Sequence, residues 1–395
     1  MAARKRAGAR RLAAYLRRWR TQLVILAGIV LLACVGFLGA GWYYSGELKD
    51  GALEPDHEPD KLDLRVLALE DGLVTLSATS EAEEDGDWAR DGVFGLQWEG
   101  SYGRVGDIVE IDDERVVREF SPMLGKPTVG GLARLDSFAF PEDPQKAHGI
   151  AFEEVTFTSP LGEFDAWFVD GYRDTWVIFV HGRAANRRES LRILPEIHEM
   201  GFPALVITYR NDDGVPEDPT GRYQYGKTEW QELDAAASYA LDQGADSIVL
   251  VGYSMGGAVT ASFLYRSPLS TRVVGVILDS PLLDFGAAVD HGASERGVPA
   301  PLNWIGRRIA ALRFDIDWGE LDYVGRAGEL EAPILLFHGD DDDTAPVATS
   351  DALAEARPDI VTYVRVAGAG HVRSWNTDPD AYGAAVRDFL NGVTE

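Results

Sequence analysis

The 395-residue sequence contains a single cysteine, Cys34. One cysteine cannot form a disulfide within the chain, and it cannot supply the cysteine cluster of a structural zinc site. Cys34 lies in a long apolar run, where we interpret it as a small apolar side chain of a helix. We expect neither a metal ion nor an organic cofactor.

Basic residues are scarce and unevenly distributed. The chain has 37 Lys and Arg against 64 Asp and Glu, a formal net charge of −27. Eight of the basic residues fall within residues 1–20, where no acidic residue occurs. The remainder is therefore strongly acidic, and such a surface repels nucleic acid. We exclude nucleic-acid binding on this ground.

Charged residues are absent from residues 21–46. A helix of this length spans the roughly 30 Å hydrocarbon core of a bilayer. We predict an uncleaved signal anchor in the cell membrane, with the basic residues 1–20 in the cytoplasm and the rest of the chain outside. A cleaved signal peptide ending near residues 39–41 and a lipoprotein cleavage box at residues 31–34 are weaker alternatives.

Two further composition changes divide the rest of the chain. Residues 47–61 are polar and contain Pro55 and Pro59, so we predict a linker. Residues 62–147 contain short alternating apolar runs separated by Gly-rich or acidic turns, which predicts a small β-rich domain. We interpret that domain as a spacer or a support for a lid. A role in binding stays open, as does the oligomeric state.

Residues 148–395 change to continuous β-branched runs that alternate with helical patterns. This alternation is typical of an α/β fold with a doubly wound, mostly parallel sheet. A long segment at residues 284–326 separates two core strands, and it contains an apolar helical pattern and several aromatic residues. We predict that it forms a cap insertion that helps to select the substrate.

The run V-L-V-G-Y-S-M-G-G ends a predicted strand with a serine flanked by glycines. Gly252 and Gly256 lie two residues on either side of Ser254, which gives the pattern G-x-S-x-G. So sharp a turn holds the serine hydroxyl out of the sheet. A serine needs a base and a carboxylate to become a nucleophile. His371, in a Gly-rich loop after the last predicted strand, is our candidate for the base.

Residues 148–395 resemble the α/β-hydrolase superfamily of serine hydrolases. G-Y-S-M-G-G matches its nucleophile elbow, H-G-D-D-D-D-T-A-P is similar to its acid loop, and G-A-G-H matches its histidine loop. Alignment on His338, Gly339 and Pro346 implies that Asp342 is the acid. Some relatives carry the acid at the position of Asp279 instead.

The resemblance also implies the rest of the site. The N–H groups of Met255 and Arg183 are the expected oxyanion donors. His181 precedes that loop, and we interpret it as a structural residue rather than the base. The basic stretch at residues 183–188 could orient an anionic group of the substrate, but we favour ion pairs between its arginines and nearby acids.

We therefore predict a serine hydrolase that cleaves a carboxylic ester or thioester, with a small-molecule or lipid substrate. One alternative is a serine peptidase of the prolyl-oligopeptidase type, whose N-terminal β domain is usually far larger. The other is a non-catalytic, membrane-anchored scaffold that binds a partner.

Overall fold

The computed structural model describes residues 2–57, 60–79, 87–112 and 114–394, with side chains from residue 15 onward. The helices are α1 (Ala2–Leu48), α2 (Pro144–His148), α3 (Leu194–Glu199), α4 (Trp230–Asp242), α5 (Met255–Arg266), α6 (Phe285–Glu295), α7 (Ala300–Phe314), α8 (Val347–Ala356), α9 (Ser374–Thr377) and α10 (Pro379–Thr394). Short 3-10 turns lie at Asp87–Ala89, Arg187–Arg192, Pro268–Arg272 and Val324–Glu329, and a π turn at Lys49–Leu53 follows α1.

Six strands form a closed antiparallel barrel: β1 (Leu64–Glu70), β2 (Leu73–Ala78), β3 (Phe94–Trp98), β4 (Ser101–Ile111), β5 (Val116–Leu124) and β6 (Leu132–Asp136). The order around the barrel is β1-β2-β5-β4-β3-β6, and β6 pairs with β1 to close it. Alternating apolar residues, among them Val66, Leu76, Leu96 and Val105, fill its interior. The small β domain expected from the sequence is therefore a barrel.

Eight strands form the second sheet: β7 (Glu153–Ser159), β8 (Gly162–Val169), β9 (Thr175–Val180), β10 (Ala204–Ile207), β11 (Ser247–Tyr253), β12 (Val273–Asp279), β13 (Ile334–Gly339) and β14 (Val361–Val366). Their order is β14-β13-β12-β11-β9-β10-β8-β7. The strands from β9 to β14 run parallel, whereas β7 and β8 are antiparallel additions at one edge. The predicted doubly wound, mostly parallel sheet is confirmed.

Helix α1 is continuous over 47 residues and forms a separate compact unit with residues 293–317. Its most apolar stretch has a mean hydropathy of 2.8, none of it buried. Helix α7 packs against its end, where Ile305 and Ile309 contact Gly41. The Arg313 guanidinium lies 3.8 Å from the centre of the Trp42 ring. A helix of this length and composition is a candidate membrane span.

Candidate active site

Ser254 lies between the end of β11 and the start of α5. Its backbone has φ +49° and ψ −117°, a conformation that a residue with a Cβ rarely adopts. Such strain persists only where the surrounding structure enforces it, and it is common at reactive residues. The turn leaves Ser254 8% exposed at the carboxyl end of the parallel strands, the edge where open α/β sheets bind ligands.

The glycines around Ser254 are required because neighbouring atoms occupy the space of a side chain. A Cβ on Gly252 would lie 2.8 Å from the Gly256 carbonyl oxygen. One on Gly256 would lie only 2.1 Å from the Val180 carbonyl oxygen, and one on Gly257 would lie 2.4 Å from the Cβ of Pro281. The G-x-S-x-G-G pattern is thus a packing requirement of the strand–turn–helix unit.

The structure brings Ser254, His371 and Asp342 together. The Nε2 atom of His371 lies 2.8 Å from the Oγ of Ser254, and its Nδ1 atom lies 2.8 Å from the Oδ2 of Asp342. Asp342 follows β13 and His371 follows β14, so adjacent parallel strands deliver both to one edge. With the proton on Nδ1, the imidazole donates to the carboxylate and can accept the serine proton at Nε2.

Asp342 is held as an anion by four donors. Its Oδ1 accepts hydrogen bonds from the N–H groups of Thr344 (2.9 Å) and Ala345 (2.8 Å). Its Oδ2 also lies 3.2 Å from the Nε2 of His338. Burial alone would raise the pKa of Asp342, but the hydrogen bonds from His338 and His371 lower it well below its usual range. The carboxylate therefore stays charged.

Asp279, the alternative acid, ends β12 but is directed elsewhere. Its Oδ1 accepts a hydrogen bond of 2.8 Å from the hydroxyl of Ser374. Burial raises the pKa of Asp279 to about 6, against an ordinary value of 3.8. The geometry therefore assembles Asp342, and not Asp279, with His371.

Of the two residues expected to supply oxyanion donors, Met255 follows Ser254 directly and Arg183 lies in a neighbouring loop. Met255 is the first residue of α5, so its N–H is one of the donors that a helix leaves unpaired in its first turn. The loop of Arg183 passes close by, since a Cβ on Gly182 would lie 3.1 Å from the Cβ of Ser254. The carboxylate of Glu189, 4% exposed, fixes that loop by accepting the Gly182 N–H at 2.8 Å.

Comparison with known proteins identifies the family of residues 177–385. The model of the alpha/beta hydrolase family matches residues 177–385, more than half of the chain. The chain belongs to the alpha/beta hydrolase family. A second family model, described as a domain of unknown function (DUF8805), matches residues 65–136, which form most of the barrel.

Relatives of this hydrolase share moderate identity. An uncharacterized protein of Mycobacterium tuberculosis, MT2364, is 26% identical over 219 residues, which cover 54% of this chain and 69% of that one. Human protein ABHD12B is 26% identical over 208 residues, covering 49% of this chain and 53% of its own length. The solved Pyrococcus furiosus esterase Pf2001 is 18% identical with a TM-score of 0.52, and the match covers 65% of this chain and 97% of that chain. Its similarity shows the shared fold.

The side chain of His181 contacts neighbouring loop residues. Its Nε2 contacts the Asp212 carboxylate at 2.8 Å, its Nδ1 lies 2.9 Å from the Gly182 carbonyl oxygen, and its ring stacks on Tyr209. Burial by itself lowers the pKa of His181, but the neighbouring Asp212 carboxylate raises it, and the net shift is upward. These contacts hold the loop that contains Arg183 in place.

Two arginines of the basic stretch form ion pairs. Arg187 pairs with Glu154 at 2.7 Å, and Arg188 pairs with Asp136 at the end of the barrel. Arg188 also donates to the Phe140 carbonyl. The Arg188 pair therefore links the hydrolase sheet domain to the barrel.

Sequence reasoning missed several residues that hold the site. Ser280 accepts the Val372 N–H at 3.1 Å, and buried Arg192 donates to the Val372 carbonyl at 2.6 Å. These contacts fix the residue after His371. The sequence indicates no contact between His338 and the acid beyond their place in one motif. The position of His338 four residues before Asp342 is a weak signal of their contact. Among the described residues, no group of His, Cys, Asp and Glu side chains is arranged to hold a metal ion.

Proposed function

We propose that this hydrolase cleaves a carboxylic ester or thioester through an acyl-enzyme intermediate. The observation that carries the proposal is the chain of two contacts of 2.8 Å from Ser254 through His371 to Asp342. The esterase fold of the Pyrococcus protein supports the same class of reaction. The chain is too acidic for a polyanionic substrate, so a neutral ester is favoured.

In the acylation step, Ser254 Oγ attacks the carbonyl carbon while His371 Nε2 takes the hydroxyl proton. The N–H groups of Met255 and Arg183 stabilise the oxyanion. The intermediate then expels the alcohol or thiol, which leaves with the proton from His371. In deacylation, His371 takes a proton from water, the hydroxide attacks the acyl carbon, and Ser254 recovers its proton as the acid departs.

A fluorophosphonate probe tests this proposal on the full chain in detergent. We expect the wild type to be labelled, and Ser254→Ala and His371→Ala to lose both labelling and hydrolysis of p-nitrophenyl esters. A folded wild type that resists the probe would contradict the proposal and favour the scaffold alternative. Cleavage of peptides in preference to esters would instead indicate a peptidase.

We further propose that residues 21–46 anchor the hydrolase in the cell membrane, with residues 1–20 in the cytoplasm. The apolar side chains of α1 are exposed, and Trp42 and Tyr43, each 60% exposed, suit the interfacial layer of a bilayer. Helix α7, which packs there, contains three arginines and no acid, and its exposed Trp304 and Leu312 suit the same layer.

Cysteine accessibility in intact cells tests this orientation. In a Cys34→Ser background, we expect a cysteine replacing the exposed Tyr172 to react with an impermeant maleimide. A cysteine replacing Ala7 should react only after lysis. The reverse pattern would refute the orientation, and loss of the protein from the membrane fraction would refute the anchor.

A further inference from the structure

The barrel contacts both loops that carry the acid and the base. Arg90, which precedes β3, lies with its Nη2 atom 3.2 Å from the Oδ2 of Asp341, the neighbour of Asp342. Its Nη1 atom occupies the space beside Gly370, the neighbour of His371, where a Cβ would lie only 2.7 Å from it. One guanidinium from the barrel therefore touches the residue adjacent to each of two triad members.

The Arg90 backbone is hydrogen-bonded to a buried side chain of the barrel. The side chain of Arg118 is fully buried, and it donates to the carbonyl oxygens of Arg90 (2.7 Å), Gly92 (2.6 Å) and Gly106 (2.9 and 3.1 Å). Burial lowers the pKa of Arg118 to about 10, so it remains a cation at neutral pH. A buried cation is costly unless its hydrogen bonds are satisfied. Here those bonds fix the short segment that reaches the active-site loops.

A second contact ties the same segment to the chain after His371. Asn376, 1% exposed, donates to the carbonyls of Val93 (2.7 Å) and Ser137 (2.8 Å), and its own carbonyl accepts the Val93 N–H at 2.8 Å. Arg192, which holds Val372, also lies 3.4 Å from the Oδ1 of Asn376. The barrel is thus bonded directly to the region that positions the base.

The two loops are also bonded to one another. The Asp341 N–H donates to the Ala369 carbonyl at 3.1 Å, and the Gly368 N–H donates to Asp340 at 2.7 Å. Four consecutive aspartates, residues 340–343, repel one another in this loop. The Arg90 guanidinium beside Asp341 offsets that repulsion next to Asp342. Because the spacing of acid and base is set here, a small shift of either loop changes the attack geometry.

We propose that the barrel is a working part of the active site and that Arg90 is the positioning residue through which it holds the Asp342 and His371 loops together. The inference rests on the proposed Ser254 chemistry. It assigns a role in hydrolysis to the domain of unknown function. Arg90 acts through Asp341 and Gly370, without contact to the reacting atoms.

Steady-state hydrolysis of a short p-nitrophenyl ester by the full chain in detergent tests the proposal. We expect Arg90→Ala to lower kcat roughly 10-fold with KM unchanged, because displaced catalytic groups slow the chemical step. The rate of fluorophosphonate labelling should fall in parallel. Arg90→Lys keeps the charge without the fork and should recover part of the rate.

Double substitutions give the sharper measurement. Asp341→Asn and Gly370→Ala should each lower kcat. Gly370→Ala should do so because its new Cβ displaces the Arg90 guanidinium. In the Arg90→Ala background, neither should lower kcat further. The matched control is Arg115→Ala, which breaks ion pairs with Glu110 and Asp112 within the barrel and should leave kcat unchanged.

Each result either supports or refutes the positioning role of Arg90. Unchanged kcat in Arg90→Ala, additive double substitutions, or an equal loss in Arg115→Ala would overturn the proposal. Loss of rate with an unfolding temperature equal to the wild type would support it. A wild type that the fluorophosphonate does not label would instead refute the proposed hydrolase function, so the two failures are distinguishable.

Discussion

Replacing Asp342 by asparagine tests the catalytic geometry most directly. The Oδ2 of Asp342 faces imidazole nitrogens of His371 and His338, and its Oδ1 accepts two backbone N–H groups. An asparagine that keeps its oxygen toward the two N–H groups turns its amide N–H toward His371. The imidazole must then accept at Nδ1 and carry its proton on Nε2, where it can no longer accept the proton of Ser254.

The expected loss is large. Replacing a carboxylate that holds the tautomer of a catalytic histidine lowers kcat about 10⁴-fold, or about 5 kcal/mol of transition-state stabilisation. The assay is kcat for a short p-nitrophenyl ester, alongside the rate of fluorophosphonate labelling. Circular dichroism must show that the variant is folded at the assay temperature.

Asp279→Asn provides the matched control. It makes the same chemical change to a buried carboxylate at the end of the neighbouring strand, but Asp279 bonds Ser374 instead of His371. We expect its kcat to be unchanged. The reasoning would be refuted if Asp279→Asn lost the activity and Asp342→Asn retained it.

Three further predictions concern stability. Gly256→Ala should destabilise the fold by more than about 4 kcal/mol, because its Cβ would lie 2.1 Å from the Val180 carbonyl oxygen; urea unfolding that matches the wild type would contradict this. The pKa of Asp279 is raised to about 6 in the native state. Between about pH 4 and 6 the native state therefore binds more protons than the unfolded state. The free energy of unfolding falls as pH rises through that window. Asp279→Asn should therefore add about 3 kcal/mol at pH 7–8 and nothing below about pH 4, as measured by urea unfolding across pH. Arg188→Met leaves Asp136 buried without the guanidinium that pairs with it, and it should lower the free energy of unfolding by about 3–5 kcal/mol. Adding Asp136→Asn to the same chain should recover part of that loss.

The sequence by itself determined the hydrolase architecture and the elements that carry the candidate site. The β-branched runs that alternate with helical patterns predict the parallel sheet, since each strand must be apolar on both faces. The glycines around Ser254 predict the sharp turn, because local sterics allow little else there. Motif order pointed to Asp342 and His371, and the absence of charge in residues 21–46 indicated the apolar helix. All of these are local properties of short segments.

Only the tertiary structure decided which distant residues meet. Asp279 ends β12 and Asp342 lies in the loop after β13. The family resemblance favoured Asp342, but only the packing of the two loops places its carboxylate against His371. The closure of the barrel depends on the pairing of β6 with β1, which lies outside any local pattern. The same holds for Arg90, whose contacts at Asp341 and Gly370 lie in a different domain of the chain. Contacts of this kind form when whole helices, strands and loops pack together, and the periodicity of side chains within one segment does not predict them.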